Sequence, residues 1–197
     1  MSRDPYQVVK PELILAIVLG DRASGLEVML DRFRAGLSEG GAEMDTCPVD
    51  PATDEQRLSE LVTKAQAAAG IVLATGEPGA RADTMLDRLN DVALRTLPDF
   101  ERIGVFSDTV ATSLVALPAA DPRLQPAINA LNSRLYDWGA VVVSPGFAQR
   151  RVNGWFDNRP GAVDEAGALT RAGSGSLERH GRRMARVAGL LNVAVYP

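Results

Sequence analysis

Residues Leu13 to Leu19 form an unbroken apolar run, Leu-Ile-Leu-Ala-Ile-Val-Leu, that stops at Gly20. A strand with one wet face alternates apolar and polar residues, whereas a strand apolar at every position is buried on both faces. A sheet covered above and below needs helices on both sides, and the rest of the chain supplies them in alternation. Ser24 to about Gly40 carries Leu26, Met29, Leu30, Phe33 and Leu37 at helical spacing. Glu43 to Pro48 reads as a second strand, and Thr53 to Ala68 as a helix opened by a Thr53…Gln56 capping box. Ile71 to Ala74, Arg102 to Ser107 and Ala140 to Val143 are the expected third, fourth and fifth strands. Helices are expected over Ala80 to Leu97, Pro122 to Trp138 and Ser176 to Asn192. Five βα units in strict alternation predict an α/β fold with a doubly wound, five-stranded parallel sheet in the order 2-1-3-4-5.

With 197 residues and 46% of them apolar, the chain has the material for one domain. It is expected to span 12–197, behind a loose arm at 1–11 and with a long loop at 146–175. That loop carries the adjacent aromatics Trp155 and Phe156, which suit a contact surface. Lys plus Arg number 21 against 25 Asp plus Glu, a formal charge of −4, so there is no basic footprint for nucleic acid. No apolar stretch approaches the roughly twenty residues of a membrane span, so no membrane insertion is expected. The opening residues lack an export signal's apolar region, and a cytoplasmic location is expected. One cysteine and one histidine allow neither an internal disulfide nor a thiolate or imidazole metal centre. Cys47 and Trp138 read as packing residues. His180, beside the stripe Leu177, Met184, Val187 and Leu191, reads as a packed or half-exposed helix histidine rather than a catalytic base.

In a doubly wound sheet, ligands bind beyond the carboxyl ends of the strands, where the winding reverses. Three small-residue loops are expected there: Gly20–Gly25, Thr75–Ala80 and Ser107–Thr112. The candidate cofactor contacts in the first are Arg22, Ala23, Ser24, Gly25 and Leu26. In the second they are Thr75, Gly76, Glu77, Pro78, Gly79 and Ala80, and in the third Ser107, Asp108 and Thr109. The first loop opens a helix, whose free amides and positive dipole end favour a phosphate. Neither GxGxxG nor GxxxxGK[ST] occurs. A phospho-acceptor domain of this winding needs an aspartate after strand 3 and a lysine after strand 5; Thr75 and Pro145 stand there instead.

The stretch Tyr136-Asp137-Trp138-Gly139-Ala140-Val141-Val142-Val143-Ser144-Pro145-Gly146 resembles WrbA-type NAD(P)H:quinone oxidoreductases. Those have an aromatic–glycine pair, a valine-rich strand and a proline–glycine before a long loop. Arg179-His180-Gly181-Arg182-Arg183-Met184-Ala185 is similar to their closing Gly-Arg-Arg helix, and Asn158-Arg159-Pro160-Gly161 stands in place of their Asn-Pro-Tyr-Gly turn. The wider resemblance, to flavodoxin-like proteins and NADPH-dependent FMN reductases, covers nearly the whole chain from Glu12. It implies FMN, with its phosphate on the first loop and its ring between the second and third. It also implies NAD(P)H as electron donor, a quinone or similar small-molecule acceptor, and a homodimer or tetramer.

The ligand loops depart from that pattern. Of the family's Pro-Thr-Arg-aromatic-Gly-Asn, Thr75–Ala80 keeps only Gly79, and Glu77 replaces an arginine near the flavin. Leu117–Asp121 has no Gly-Gly-x-Glu, Asn90–Leu94 lacks the expected aromatic, and Asp137 stands for a histidine. Ser24-Gly25-Leu26-Glu27 is itself a capping box, and Glu27 sets negative charge beside the expected phosphate, with Arg22 to offset it. The alternative reading is therefore a binding or interaction protein that keeps this fold, has lost FMN and has no redox activity.

Overall fold

The computed structural model describes residues 12–20, 24–96, 106, 109–118, 120–144, 163–164 and 168–195. The expected arm at 1–11, Arg22, Ala23, Ser107, Asp108, Trp155, Phe156 and the Asn158–Gly161 turn lie outside the described residues.

Five parallel strands, β1 (Glu12–Leu19), β2 (Ala42–Val49), β3 (Gly70–Thr75), β4 (Val110–Val115) and β5 (Val141–Val142), form one sheet. Its order is β2-β1-β3-β4-β5, as the alternation predicts. The helices among the described residues are α1 (Ser24–Glu39), α2 (Glu55–Gln66), α3 (Ala80–Thr96), α4 (Leu124–Asp137) and α5 (Arg171–Val195). The alternating side chains of β1 serve two cores. Leu15, Ile17 and Leu19 pack with residues of α2, α3 and α4, while Ile14, Ala16 and Val18 pack with α1 and α5.

Three expectations need correction. The fourth strand is Val110–Val115, not Arg102–Ser107; Phe106 is a turn residue, and 102–105 lie outside the described residues. Every position of β4 is buried, including Thr112 and Ser113. Both hydroxyls are partnered, Thr112 Oγ1 at 3.0 Å from His180 Nε2 and Ser113 Oγ donating to Asn132 Oδ1 at 2.8 Å. A buried hydroxyl with a partner costs little, so a polar pair can sit inside a fully covered strand. Second, α2 is capped by Asp54, whose carboxylate accepts the Arg57 N–H at 2.8 Å, rather than by Thr53. The Thr53 hydroxyl turns back to the Asp50 carboxylate and amide. Third, the last helix begins at Arg171, five residues before Ser176, with Thr170 Oγ1 accepting the Gly173 N–H at 3.1 Å.

The glycines of α1 and α5 explain that long helix and the Gly-Arg-Arg motif together. A Cβ on Gly36 would lie 2.0 Å from the Glu178 carbonyl oxygen, and one on Gly181 would lie 2.3 Å from that of Phe33. The two helices cross backbone to backbone there, which only glycine permits.

Candidate functional site

Parallel register sets Leu19 beside Val49 and Thr75, and Thr75 beside Val115. The carboxyl ends of the first four strands therefore stand in one row, and the segments that follow them share one edge. Gly20 leaves β1 in the left-handed region (φ 83°), its N–H held by the Val49 carbonyl at 2.9 Å. The chain then enters α1 at Ser24, four residues on. The first-turn amides of a helix have no carbonyl preceding them within the helix. Leu26 is fully buried among Met29, Leu30 and Phe33, so its side chain serves the core and not a ligand. Glu27 is exposed in the first turn of α1.

Thr75 is fully buried at the end of β3. Its hydroxyl donates to the Leu19 carbonyl and accepts the Glu77 N–H, both at 3.1 Å. This one side chain ties the ends of β1 and β3 together and fixes the turn into Gly76. Glu77 is exposed, with Arg81 Nη1 3.9 Å from its carboxylate. Gly79 turns the chain into α3 at φ 130°, with open space around it.

The third loop is not where the sequence pattern put it. Because β4 starts at Val110, Thr109 lies at the amino end of that strand, with its N–H on the Phe106 carbonyl and its own carbonyl accepting from Val141. It is at the opposite edge from Thr75 and shares no site with it. The segment that does follow β4 is Ala116–Asp121, a stretch that hydroxyl content did not single out. Ala116 continues the ladder by donating to the Thr75 carbonyl at 2.9 Å; Ala116 and Leu117 are buried, and Pro118 forms a parallel bridge with Val163. Asp121 then accepts from the Arg123 amide, Nε and Nη2 at 2.7–3.0 Å, and this guanidinium contact holds its carboxyl below the usual carboxylate range.

Remote from that edge, His180 is buried against the end of β5. Its Nε2 lies 3.0 Å from both Thr112 Oγ1 and the Val143 carbonyl, and Phe33 meets the ring edge-on at 5.3 Å. The carbonyl only accepts, so Nε2 carries the proton and Nδ1 is a bare acceptor with no hydrogen-bond partner among the described residues. Burial pushes the imidazole down to about 4, so it is neutral at physiological pH. Cys47 is half-buried on β2, and burial pushes its thiol up even though Lys64 Nζ lies 3.9 Å away. The Lys64 charge is held by Asp45. Trp138 is packed edge-on against Phe106 and donates to Asn90 Oδ1 at 3.1 Å. Among the described residues no cluster of metal ligands occurs, and no helix is long and apolar enough to cross a membrane.

No family model matches the chain, and no curated protein matches it. Solved structures do. A WrbA-like protein from Agrobacterium tumefaciens superposes with a TM-score of 0.60 at 14% identity, over 92% of this chain and 98% of that one. A diflavin flavoprotein A3 from Nostoc gives 0.58 at 16% identity, over 94% and 99%. FerB, a flavoenzyme NAD(P)H:(acceptor) oxidoreductase from Paracoccus denitrificans, gives 0.58 at 14%, over 91% and 98%. The chain has the flavodoxin-like fold.

On this flavodoxin-like frame the structure brings together Ser24, Gly25 and the Thr75–Ala80 turn at one edge, and separates Thr109 from them. Amides at the opening of a helix such as α1 suit a phosphate. The described walls offer a flavin ring the backbone of Gly76–Gly79 and the side chain of Pro78, with no aromatic side chain among the described residues of the three segments.

Proposed function

We propose that the chain is an FMN-dependent oxidoreductase that passes electrons from NAD(P)H to a quinone or similar acceptor. The observation that carries this reading is the row of strand ends at Leu19, Thr75 and Val115, with α1 opening onto it. When bound, the flavin supplies the electron transfer. The chain's own residues bind and orient. The amides of Ser24 and Gly25 hold the phosphate. The Thr75 hydroxyl, hydrogen-bonded to both Leu19 and Glu77, fixes the Gly76–Gly79 backbone that would line the flavin ring. Self-association as a homodimer or tetramer belongs to the same reading.

A second reading, a flavodoxin-like binding protein without flavin, is favoured by specific residues. The Thr75 hydroxyl is already spent on Leu19 and Glu77, and acids stand at position 27, in the first turn of α1, and at position 77 in the second segment. The test is the flavin content of protein purified without added cofactor. The first reading expects yellow protein that releases about one FMN per chain on denaturation. Colourless protein whose spectrum and stability are indifferent to added FMN supports the second.

A further inference from the structure

A cleft of about 260 Å³ opens between the amino-terminal halves of α3 and α4, beside the Gly76–Gly79 turn. Small side chains create it: Ala82 on α3 and Ala127 and Ala130 on α4 leave a gap that larger residues at those positions would close. Ala82 and Leu131 floor it, buried to 2% and 3% exposure, and Pro78 and Pro126 stiffen its two walls. A site of this size is below the roughly 300–1,000 Å³ of drug-sized pockets, so it admits a single ring with a short tail.

Charge at the mouth decides the class of occupant. Two ionised side chains line the cleft, Asp83 and Arg123. The Arg123 guanidinium is committed to Asp121 through Nε and Nη2. Asp83, exposed at the start of α3, makes no side-chain hydrogen bond or ion pair among the described residues. With the arginine neutralised by its own acid, the unpaired charge at the mouth is negative. We propose that this cleft binds a small aryl-alkyl ammonium compound, its ring between Pro78 and Pro126 and its cationic nitrogen at Asp83. The cleft shares Pro78 with the flavin reading, but its charge, Asp83, and the resonances that report binding, those of Ala82, Ala127 and Ala130, lie on α3 and α4, so failure here and failure of flavin binding are told apart.

The probes are phenethylamine, phenethyl alcohol and phenylpropionate, which share a ring and differ in charge. Each is titrated into the protein as purified, with amide and methyl resonances of Ala82, Ala127 and Ala130 as the readout. Phenethylamine is expected to shift them saturably and to bind roughly tenfold tighter than the alcohol or the acid. Asp83→Asn is expected to erase that preference. Ala130→Trp, at an exposed helix position that leaves the core untouched, is expected to abolish binding at unchanged Tm. The proposal is overturned if the amine gives no saturable shift, or if the alcohol or acid binds as tightly. It is equally overturned if Asp83→Asn keeps the preference, or if Ala130→Trp, folded by its Tm, binds the amine as wild type does.

Discussion

Lowering the pH from 7 to 5 should cost this protein a specific amount of stability through one residue. His180 is the only histidine of the chain, and its side chain is almost completely buried between β4, the end of β5 and α1. Burial is the main cause that brings its pKa from 6.5 to about 4; the Val143 carbonyl pulls the other way, and the Arg183 charge adds to the depression. The unfolded chain therefore takes up a proton near pH 6.5 that the folded chain refuses until about pH 4. Stability from this group is fully present above pH 6.5 and is lost as the pH falls through that window. A shift of about 2.5 units corresponds to about 3 kcal/mol in all, of which about 2 kcal/mol disappears between pH 7 and pH 5. The carboxylates with lowered pKa values, Asp45, Asp50 and Asp121, titrate below the window and do not contribute within it. Urea unfolding at a series of pH values measures the slope, and His180→Gln should flatten it, because glutamine can still donate to Val143 but does not titrate. The imidazole proton resonances of the folded protein give an independent reading. An imidazole that titrates near 6.5, or a variant with the wild-type pH slope, would refute the reasoning.

Two further outcomes follow from the packing and the caps, and a third from the proposed function. Gly36→Ala forces a methyl against the Glu178 backbone carbonyl, which cannot yield as a side chain would, so a loss of about 3 kcal/mol is expected in the urea midpoint. Asp54→Ala removes the cap of α2 and should cost about 1 kcal/mol, whereas Thr53→Ala, which touches only the Asp50 turn, should cost less. Light scattering at micromolar concentration should give at least twice the monomer mass; a monomer would remove self-association from the proposed function.

Continuous apolar runs made β1 and β3 legible, because Leu13–Leu19 and Ile71–Ala74 hold no polar residue to confuse the pattern. The same criterion failed at β4. Ile103-Gly104-Val105-Phe106 is more apolar than Val110–Val115, yet the latter is the strand, since Thr112 and Ser113 find partners on α5 and α4 that lie 68 and 19 residues away. Periodicity carries no information about such distant hydrogen bonds. That single displacement moved the third ligand loop from Ser107–Thr112 to Ala116–Asp121 and left Thr109 at the wrong edge. The start of α5 was hidden for a related reason. Gly173 and Gly175 look like loop residues in isolation, and only the Thr170 cap shows that the helix already begins at Arg171. The opening of α1 beyond the end of β1 was legible because a strand, a glycine and a helix opening follow one another in sequence. The segment after β4 was not, since its place at that edge depends on which distant run forms the strand.

Calorimetric titration of FMN into flavin-free protein tests the proposed site most directly, with wild type and Glu27→Thr compared. Glu27 is exposed in the first turn of α1, where a phosphate would meet its charge, and threonine replaces that charge by a hydroxyl donor. Saturation at one FMN per chain is expected for both, with the variant roughly tenfold tighter, equivalent to about 1.4 kcal/mol. An affinity that is unchanged or weaker in Glu27→Thr would contradict the placement of the phosphate at the opening of α1, and no binding by either protein would contradict the flavin reading itself.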